Sequence, residues 1–305
     1  MTAYPPSSAA GATLVVHPGS LGDVVLALGV LTRLPGSVWL AGRGPVLTLA
    51  GRVAGIERWL DLDGPLGALL VGESAREWPA DLGGASRVVV LRADPDGTLA
   101  QRFREHTPAE VCVASARPPA GRSAHVHVAA ILGVSNEMAT ASWVATATHQ
   151  RTGSRLLIHP GSGGRTKCWS LAGFRSVALR MREMGWQVSW VVGEAERAAG
   201  LDLGAEPDVV RDPALTELAE LAASVDVYLG NDSGASHLAA AVGAPSVLIF
   251  GPTDPREWAP AAPWVEALRG EPDGDPVSWG IDPAEVVPRV AAAARRERPR
   301  AHSFR

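Results

Sequence analysis

A strand-like apolar run that ends in His-Pro-Gly-Ser occurs twice in this 305-residue chain. It reads LVVHPGSLGD from Leu14 and LLIHPGSGGR from Leu156, with the two histidines 142 residues apart. A chain that writes one strand-to-turn junction at the start of each half is constrained toward two similar units, and its length suits two domains of roughly 150 residues. Around each junction, short runs of Val, Leu and Ile alternate with segments of helical periodicity, the pattern of parallel strands covered on both faces by crossover helices. The fold class is therefore α/β, written twice. In the first half strands are predicted at Thr13 to His17, Val38 to Ala41, Arg87 to Leu91 and Glu110 to Ala114, with helices near Asp23 to Leu34, Pro45 to Ala54 and Gly97 to His106. The second half restarts at Arg155 to His159, with strands at Gln187 to Val192, Asp226 to Leu229 and Ser246 to Phe250. Its helices are predicted near Leu171 to Met184, Glu194 to Leu203, Leu215 to Ala223, Ser236 to Val242 and Pro283 to Ala294. Leu215, Leu218 and Leu221 share one helical face and are read as core. The domains are placed at 1–145 and 146–305. The joining linker lies in Asn136 to Ser154, where ATASWVATATHQRTGS is small, polar and aperiodic. The Glu271 to Gly280 run reads as a loop, and RRERPRAHSFR as a solvated tail.

Composition narrows the function classes. At 46% hydrophobic and 20% charged the chain is too apolar for disorder. A net charge of −4 and a pI near 6.1 give no general attraction to nucleic acid or anionic lipid. Cys112 and Cys168 lack zinc or redox spacing and read as free or buried thiols in a reducing compartment. The opening MTAYPPSSAAGA has neither the basic region nor the apolar run of a signal peptide, and every apolar stretch is broken by Gly, Pro or charge within about 18 residues. A cytoplasmic protein without nucleic-acid partners is expected.

A strand that stops at a Gly- and Ser-containing turn and feeds a helix presents backbone N–H groups at the carboxyl edge of a parallel sheet, where phosphates and carboxylates bind. Neither copy is a standard nucleotide fingerprint. GSGGRTKC has Thr166 where GxxxxGK[ST] needs Gly, and no GxGxxG follows a predicted strand. Lys167, beside the second turn, is the only lysine among 28 basic residues. A chain that uses Arg everywhere else and one compact ammonium here points to a phosphate contact that a guanidinium does not serve. After the first turn, Ser20-Leu21-Gly22-Asp23 puts a carboxylate at a helix start. There it is either a helix-stabilising acid, an effect of about 0.3 to 1 kcal/mol, or a general base. The densest stretch, Gly230 to Ala241 (GNDSGASHLAAA), follows the strand VDVYL. Asp232 or Ser233 can cap the following helix, and the same residues with the Gly234 N–H can cradle a pyrophosphate. His237 fits a core histidine, a partner to Asp232 or a ligand contact. Three Asp-x-Asp strings (Asp61-Leu62-Asp63, Asp94-Pro95-Asp96, Asp273-Gly274-Asp275) fall in predicted turns, where Asp is common, so no metal site is assigned.

Three segments in order, GSLGDVVLALGVLTRL, HPGSGGRTKCWSLAGF and LAASVDVYLGNDSGASHLAAAVGAPSVLIFGPTDPREWAP, resemble the ADP-heptose:lipopolysaccharide heptosyltransferases, glycosyltransferase family 9. The resemblance implies a GT-B fold, with two Rossmann-like domains whose parallel sheets face a central cleft. The amino-terminal domain would be the acceptor side and the carboxyl-terminal domain the nucleotide-sugar donor side. It further implies an inverting, metal-independent transfer, without cofactor, of heptose or a related sugar from ADP-heptose or a similar donor. The acceptor would be a lipopolysaccharide-core or other surface glycan, at the inner face of the inner membrane with at most peripheral membrane contact. By motif position Asp23 matches the catalytic base, with Ser20 and Gly22 on the acceptor side. Lys167 matches a catalytic and donor-phosphate residue, and Ser162 and Gly163 match its turn. Asp232, Ser233, Gly234 and His237 match the second phosphate segment. Glu194 or Glu196 matches an acidic residue near the adenosine ribose, the two being indistinguishable by motif. The chain departs from the family at Gly29-Val30, where Thr-x-Pro is common. Arg43, Arg52, Arg92, Arg102 and Arg104 are the available arginines for an anionic acceptor. A GT-B sugar-nucleotide epimerase or hydrolase, and a non-catalytic nucleotide-sugar-binding protein, are the alternatives.

Overall fold

A computed structural model describes residues 11–50, 52–71, 78–135, 153–198, 200–271, 275 and 278–297. The chain divides into two compact units, Met1–Thr140 and Ala141–Arg305. The linker reading concerns mainly 136–152. That stretch, the tail from 298 and the Asp273-Gly274 pair lie outside the described residues.

The first unit is a five-stranded sheet of β1 (Ala12–Val16), β2 (Val38–Gly42), β3 (Arg58–Asp61), β4 (Ala85–Leu91) and β5 (Glu110–Ala114). Its strands are all parallel, in the order β3-β2-β1-β4-β5. Among the described residues four helices accompany it: α1 (Leu21–Leu31), α2 (Pro65–Val71), α3 (Thr98–His106) and α4 (Ala124–Leu132). From Val24 to Leu31 every residue of α1 is buried, as expected for a helix apolar on all sides, and it packs against α4. Arg87 on β4 is 2% exposed and donates to the Leu132 and Ile131 carbonyls at 3.2 and 3.3 Å. Its charge therefore sits at the C-terminal, negative end of α4.

The second unit is a six-stranded parallel sheet of β6 (Arg155–His159), β7 (Gln187–Val192), β8 (Val209–Arg211), β9 (Val227–Asn231), β10 (Ser246–Phe250) and β11 (Val265–Arg269). Its order is β8-β7-β6-β9-β10-β11. Its helices are α5 (Leu171–Glu183), α6 (Glu194–Ala198), α7 (Leu215–Ser224), α8 (Gly234–Ala241), α9 (Pro255–Trp258) and α10 (Pro283–Ala293). Asp226, fully buried, accepts the Ser154 and Arg155 N–H groups at 3.1 Å and ties the start of β6 to that of β9.

Counted from its own first strand, the second sheet runs 3-2-1-4-5-6, the Rossmann order, and the first sheet is the same order one strand shorter. In such sheets the chain winds one way from strand 1 to 3 and the other way from strand 4, so a crevice opens at the carboxyl ends beside strand 1. Both His-Pro-Gly-Ser turns leave that strand, β1 and β6. The repeated tetrapeptide marks the topological switch point of each sheet.

Several elements differ from the sequence reading, each for a local reason. The segment read as a helix from Pro45 is a 3-10 turn over Gly44–Leu49. The helix read to Leu203 stops at Ala198, before Gly200 at φ +84°. Strands β3, β8 and β11 were not predicted; they are edge strands of three to five residues, mostly half-buried, with no alternation long enough to register. Helix α4 escaped because His125 and His127 interrupt its apolar period, yet both are buried. On α7, Leu218 is buried while Leu215 and Leu221 are half-buried, with Ala219, Ala222 and Ala223 completing the packed face.

Candidate functional site

In the second unit, three turns converge at the carboxyl edge around one carboxylate. The turn after β6 runs Pro160 to Gly164 and leads into a 3-10 turn, Arg165–Lys167. The turn after β9 carries Asp232 and Ser233, and the turn after β10 carries Thr253. The Lys167 Nζ donates to Asp232 Oδ2 at 2.7 Å, and Thr253 Oγ1 donates to the same oxygen at 2.8 Å. Ser162 Oγ donates to the Asp232 carbonyl at 2.7 Å. The carboxylate is 6% exposed and the lysine 37%, so the ammonium reaches solvent while its counterion is enclosed. This pair therefore falls between a surface ion pair and a buried one.

Asn231 fastens the two turns. Fully buried, it donates through Nδ2 to the Pro160 carbonyl at 2.8 Å and accepts the Trp169 N–H at 2.9 Å. Its side chain is thus used in holding the β6 turn to the end of β9. Ser233, and not Asp232, caps α8, accepting the Ser236 N–H at 3.3 Å. Gly234 opens that helix, and the early N–H groups of a helix lack intrahelical acceptors. His237 is buried within α8. Gly163 is exposed, with open space where a Cβ would stand. The two glutamates separate clearly. Glu194 is exposed in the first turn of α6, whereas Glu196 turns inward. Glu196 Oε1 lies 3.5 Å from His159 Nε2, and Oε2 accepts the Gly193 N–H at 2.9 Å. Its pKa is held down to about 2, chiefly by the hydrogen bond with His159, against the opposing cost of burial. Thr253 lies in the FGPTDP stretch of the third matched segment and has no sequence signal of its own.

In the first unit, the turn after β1 brings together the predicted residues Ser20, Gly22 and Asp23. Asp23 is the third residue of α1 and reaches back, its Oδ2 accepting from Ser20 N at 3.0 Å and from Ser20 Oγ at 2.8 Å. The helix-start role is therefore real, and it fixes where the carboxylate points. His17 stands beneath the turn, 1% exposed, its Nδ1 accepting the Gly19 N–H at 3.1 Å. A Cβ on Gly19 would fall 2.7 Å from His17 Cε1 and 3.0 Å from Asp23 Cβ, so glycine is needed for this close stacking. Burial lowers the His17 pKa to about 4, although nearby Asp23 opposes the shift. The unfolded chain takes up this proton near the ordinary value of 6.5, so between about 6.5 and 4 the unfolded state binds more protons and stability falls as pH falls. The full loss, reached below about pH 4, is at most about 3 kcal/mol. Urea denaturation at pH 7 and pH 4.5 is expected to show this loss in the wild type. In His17→Asn, whose Oδ1 can accept the Gly19 N–H, the part due to His17 should vanish.

The Asp-x-Asp strings in the described residues serve turns. Asp61 accepts the Asp63 N–H, Asp94 accepts the Leu99 and Ala100 N–H groups, and Asp96 accepts the Thr98 N–H at the start of α3. Among the described residues no group of three or more His, Cys, Asp or Glu is placed to hold a metal. Both cysteines are free thiols. Two of the candidate arginines have structural uses: Arg92 and Arg102 donate to the Leu70 and Leu69 carbonyls at the end of α2. Arg43 lies 4.0 Å from Asp63, and Arg104 donates weakly to the Val111 carbonyl.

Two Rossmann-like units, each with a strand-to-helix turn at its switch point, define a class, the GT-B proteins. Solved structures agree across nearly the whole chain. The family 9 glycosyl transferase of Veillonella parvula superposes with a TM-score of 0.70 at 16% identity, covering 96% of this chain and 98% of that one. The ADP-heptose lps heptosyltransferase II of Escherichia coli gives 0.65 at 18%, covering 92% and 98%. At these identities the likeness is one of fold. By sequence, residues 132–275 match the model of glycosyltransferase family 9 (heptosyltransferase). Over 104 residues it is 39% identical to lipopolysaccharide heptosyltransferase 1 of Pseudomonas aeruginosa, covering 33% of this chain and 29% of that protein. Over 121 residues it is 33% identical to lipopolysaccharide heptosyltransferase 3 of Escherichia coli, covering 37% and 34%. The matched stretches span about a third of the length of these relatives.

Proposed function

We propose that the protein is an inverting, metal-independent glycosyltransferase that moves heptose, or a related sugar, from ADP-heptose or a similar nucleotide-sugar to a surface-glycan acceptor of the lipopolysaccharide-core type. The observation that carries this reading is the convergence of Lys167, Ser162 and Thr253 on Asp232 at the switch point of the second sheet. That place suits a diphosphate, because helix-start N–H groups and one ammonium meet there. Departure of the nucleoside diphosphate concentrates negative charge on its phosphates, so donors fixed at this edge bind the leaving group more strongly as the bond breaks. Lys167 is already oriented by Asp232, and little reorganisation is needed when the charge develops. Ser162, Gly163 and Gly234 supply the close backbone approach, and Asp232 holds the lysine in place. Ser233 supports the start of α8, and His237 lies in the next turn of the same helix. Glu194, exposed at the start of α6, is assigned to the nucleoside ribose.

Asp23 is the base that takes the proton of the acceptor hydroxyl as that oxygen attacks the anomeric carbon from the face opposite the departing diphosphate. One carboxylate oxygen is oriented by Ser20, which presets the direction of proton removal. With Ser20 and Gly22 beside it, this turn is assigned to acceptor binding within the first unit. Among the described residues no helix is long and apolar enough to cross a membrane. We place the protein in the cytoplasm, at most peripherally at the inner face of the inner membrane, where a glycolipid acceptor is presented. The test is a transfer assay with ADP-heptose, other sugar nucleotides and truncated core glycans in the presence of a chelator. Transfer with inversion at the anomeric carbon supports the proposal; tight ADP binding with no transfer to any acceptor rejects it.

A further inference from the structure

Glu196 touches three separate parts of the switch-point edge. Its Oε1 meets His159 at the end of β6 and its Oε2 takes the N–H of Gly193 at the end of β7. Its side chain also fills the space that a Cβ would need at Gly161, in the centre of the β6 turn, and comes within 2.7 Å of a Cβ built at Gly193. Gly161 has no positive φ, and a side chain there would meet Glu196. The carboxylate is thus wedged between two strand ends, 14% exposed, and is strongly ionised in its bond with the imidazole.

We propose that Glu196 is a positioning residue that holds the Gly161 turn in register for the donor phosphates, and does not contact the nucleoside. This rests on the reading of that turn as a diphosphate site and divides labour between two glutamates that motif position leaves equivalent. Glu196 acts from beneath the turn, while Glu194, exposed on the same short helix, is left to face the ribose. Loss of the wedge releases His159 and Gly193 and lets the Pro160 to Gly164 backbone drift, which weakens every ligand that binds through phosphate alone.

Inorganic pyrophosphate, which has no ribose, separates the two roles. Titration calorimetry is to be run with ADP and with pyrophosphate on the wild type, Glu196→Ala, Glu196→Gln and Glu194→Ala. Glu196→Ala is expected to weaken both ligands by the same factor, about tenfold, the order expected when a buried donor loses its acceptor. Glu196→Gln, which keeps the volume and an acceptor for Gly193, should restore most of the affinity, and Glu194→Ala should weaken ADP alone. The wedge is checked separately by a thermal-denaturation cycle. Gly161→Ala should destabilise the wild type but cost markedly less in the Glu196→Ala background, where its methyl group has room. A loss confined to ADP in Glu196→Ala, no loss for either ligand, or strict additivity with Gly161→Ala overturns the proposal while leaving the donor site intact. A wild type that binds neither ligand overturns the reading of the site, and this proposal with it.

Discussion

Asp23→Asn is expected to lower the rate of sugar transfer by about 10²- to 10⁴-fold, the range a positioned general base contributes, with little change in folding stability or in affinity for ADP. The two effects are separable because the proposed base role of Asp23 is distinct from its place at the helix start. Its Oδ2 accepts from the Ser20 N–H and hydroxyl at the start of α1, and an asparagine carbonyl can accept the same bonds. The helix therefore keeps its start and loses only the charge effect of an acid in the first turn, about 0.3 to 1 kcal/mol. What the amide cannot do is take a proton from the acceptor. Single-turnover transfer kinetics with calorimetric ADP binding and a urea titration give all three quantities. A variant that transfers sugar at the wild-type rate assigns Asp23 to helix capping alone and moves the base elsewhere.

The second large effect is expected at Lys167. Replacement by Met removes the ammonium proposed to bind the leaving group, and turnover should fall by about 10²- to 10³-fold, as on loss of one fixed charge-stabilising donor. The same change leaves the enclosed Asp232 carboxylate with Thr253 as its remaining side-chain donor among the described residues. A stability loss of about 1–3 kcal/mol is expected, less than for a fully buried pair because the lysine is partly exposed. Adding Asp232→Asn to Lys167→Met removes the stranded charge, so stability should recover while turnover stays low. Lys167→Arg should also turn over poorly, since a planar fork cannot replace a compact ammonium held at 2.7 Å from Asp232. Recovery of turnover in the double variant would show that Lys167 acts only through Asp232.

Much of this was legible in the chain itself. The doubled strand-turn junction and the alternation of apolar runs with helical segments specify two parallel α/β units, because a strand buried on both faces has few alternatives to Val, Leu and Ile. β5, β6, β7 and β10 occupy the residues read for them. The edge strands and α4 were not legible, since short half-exposed runs and buried histidines carry no period. Within the site, sequence pattern picked out the lone lysine and the Asp232 turn, both conspicuous in type and spacing. It did not show that Asn231 is used in fastening two turns, that Thr253 completes the Asp232 cluster, or that Glu194 and Glu196 point in different directions. Those facts depend on which strands are neighbours. β9 lies next to both β6 and β10, which brings residues separated by 65 and 21 positions onto one carboxylate.

The most direct test of the account is the stoichiometry of ADP release from ADP-heptose by the wild-type protein, followed with and without a heptose-deficient core glycan. The account expects negligible release without acceptor and, with it, one ADP for each inverted glycosidic bond formed. Release at the same rate without acceptor, or no release under either condition, would contradict it.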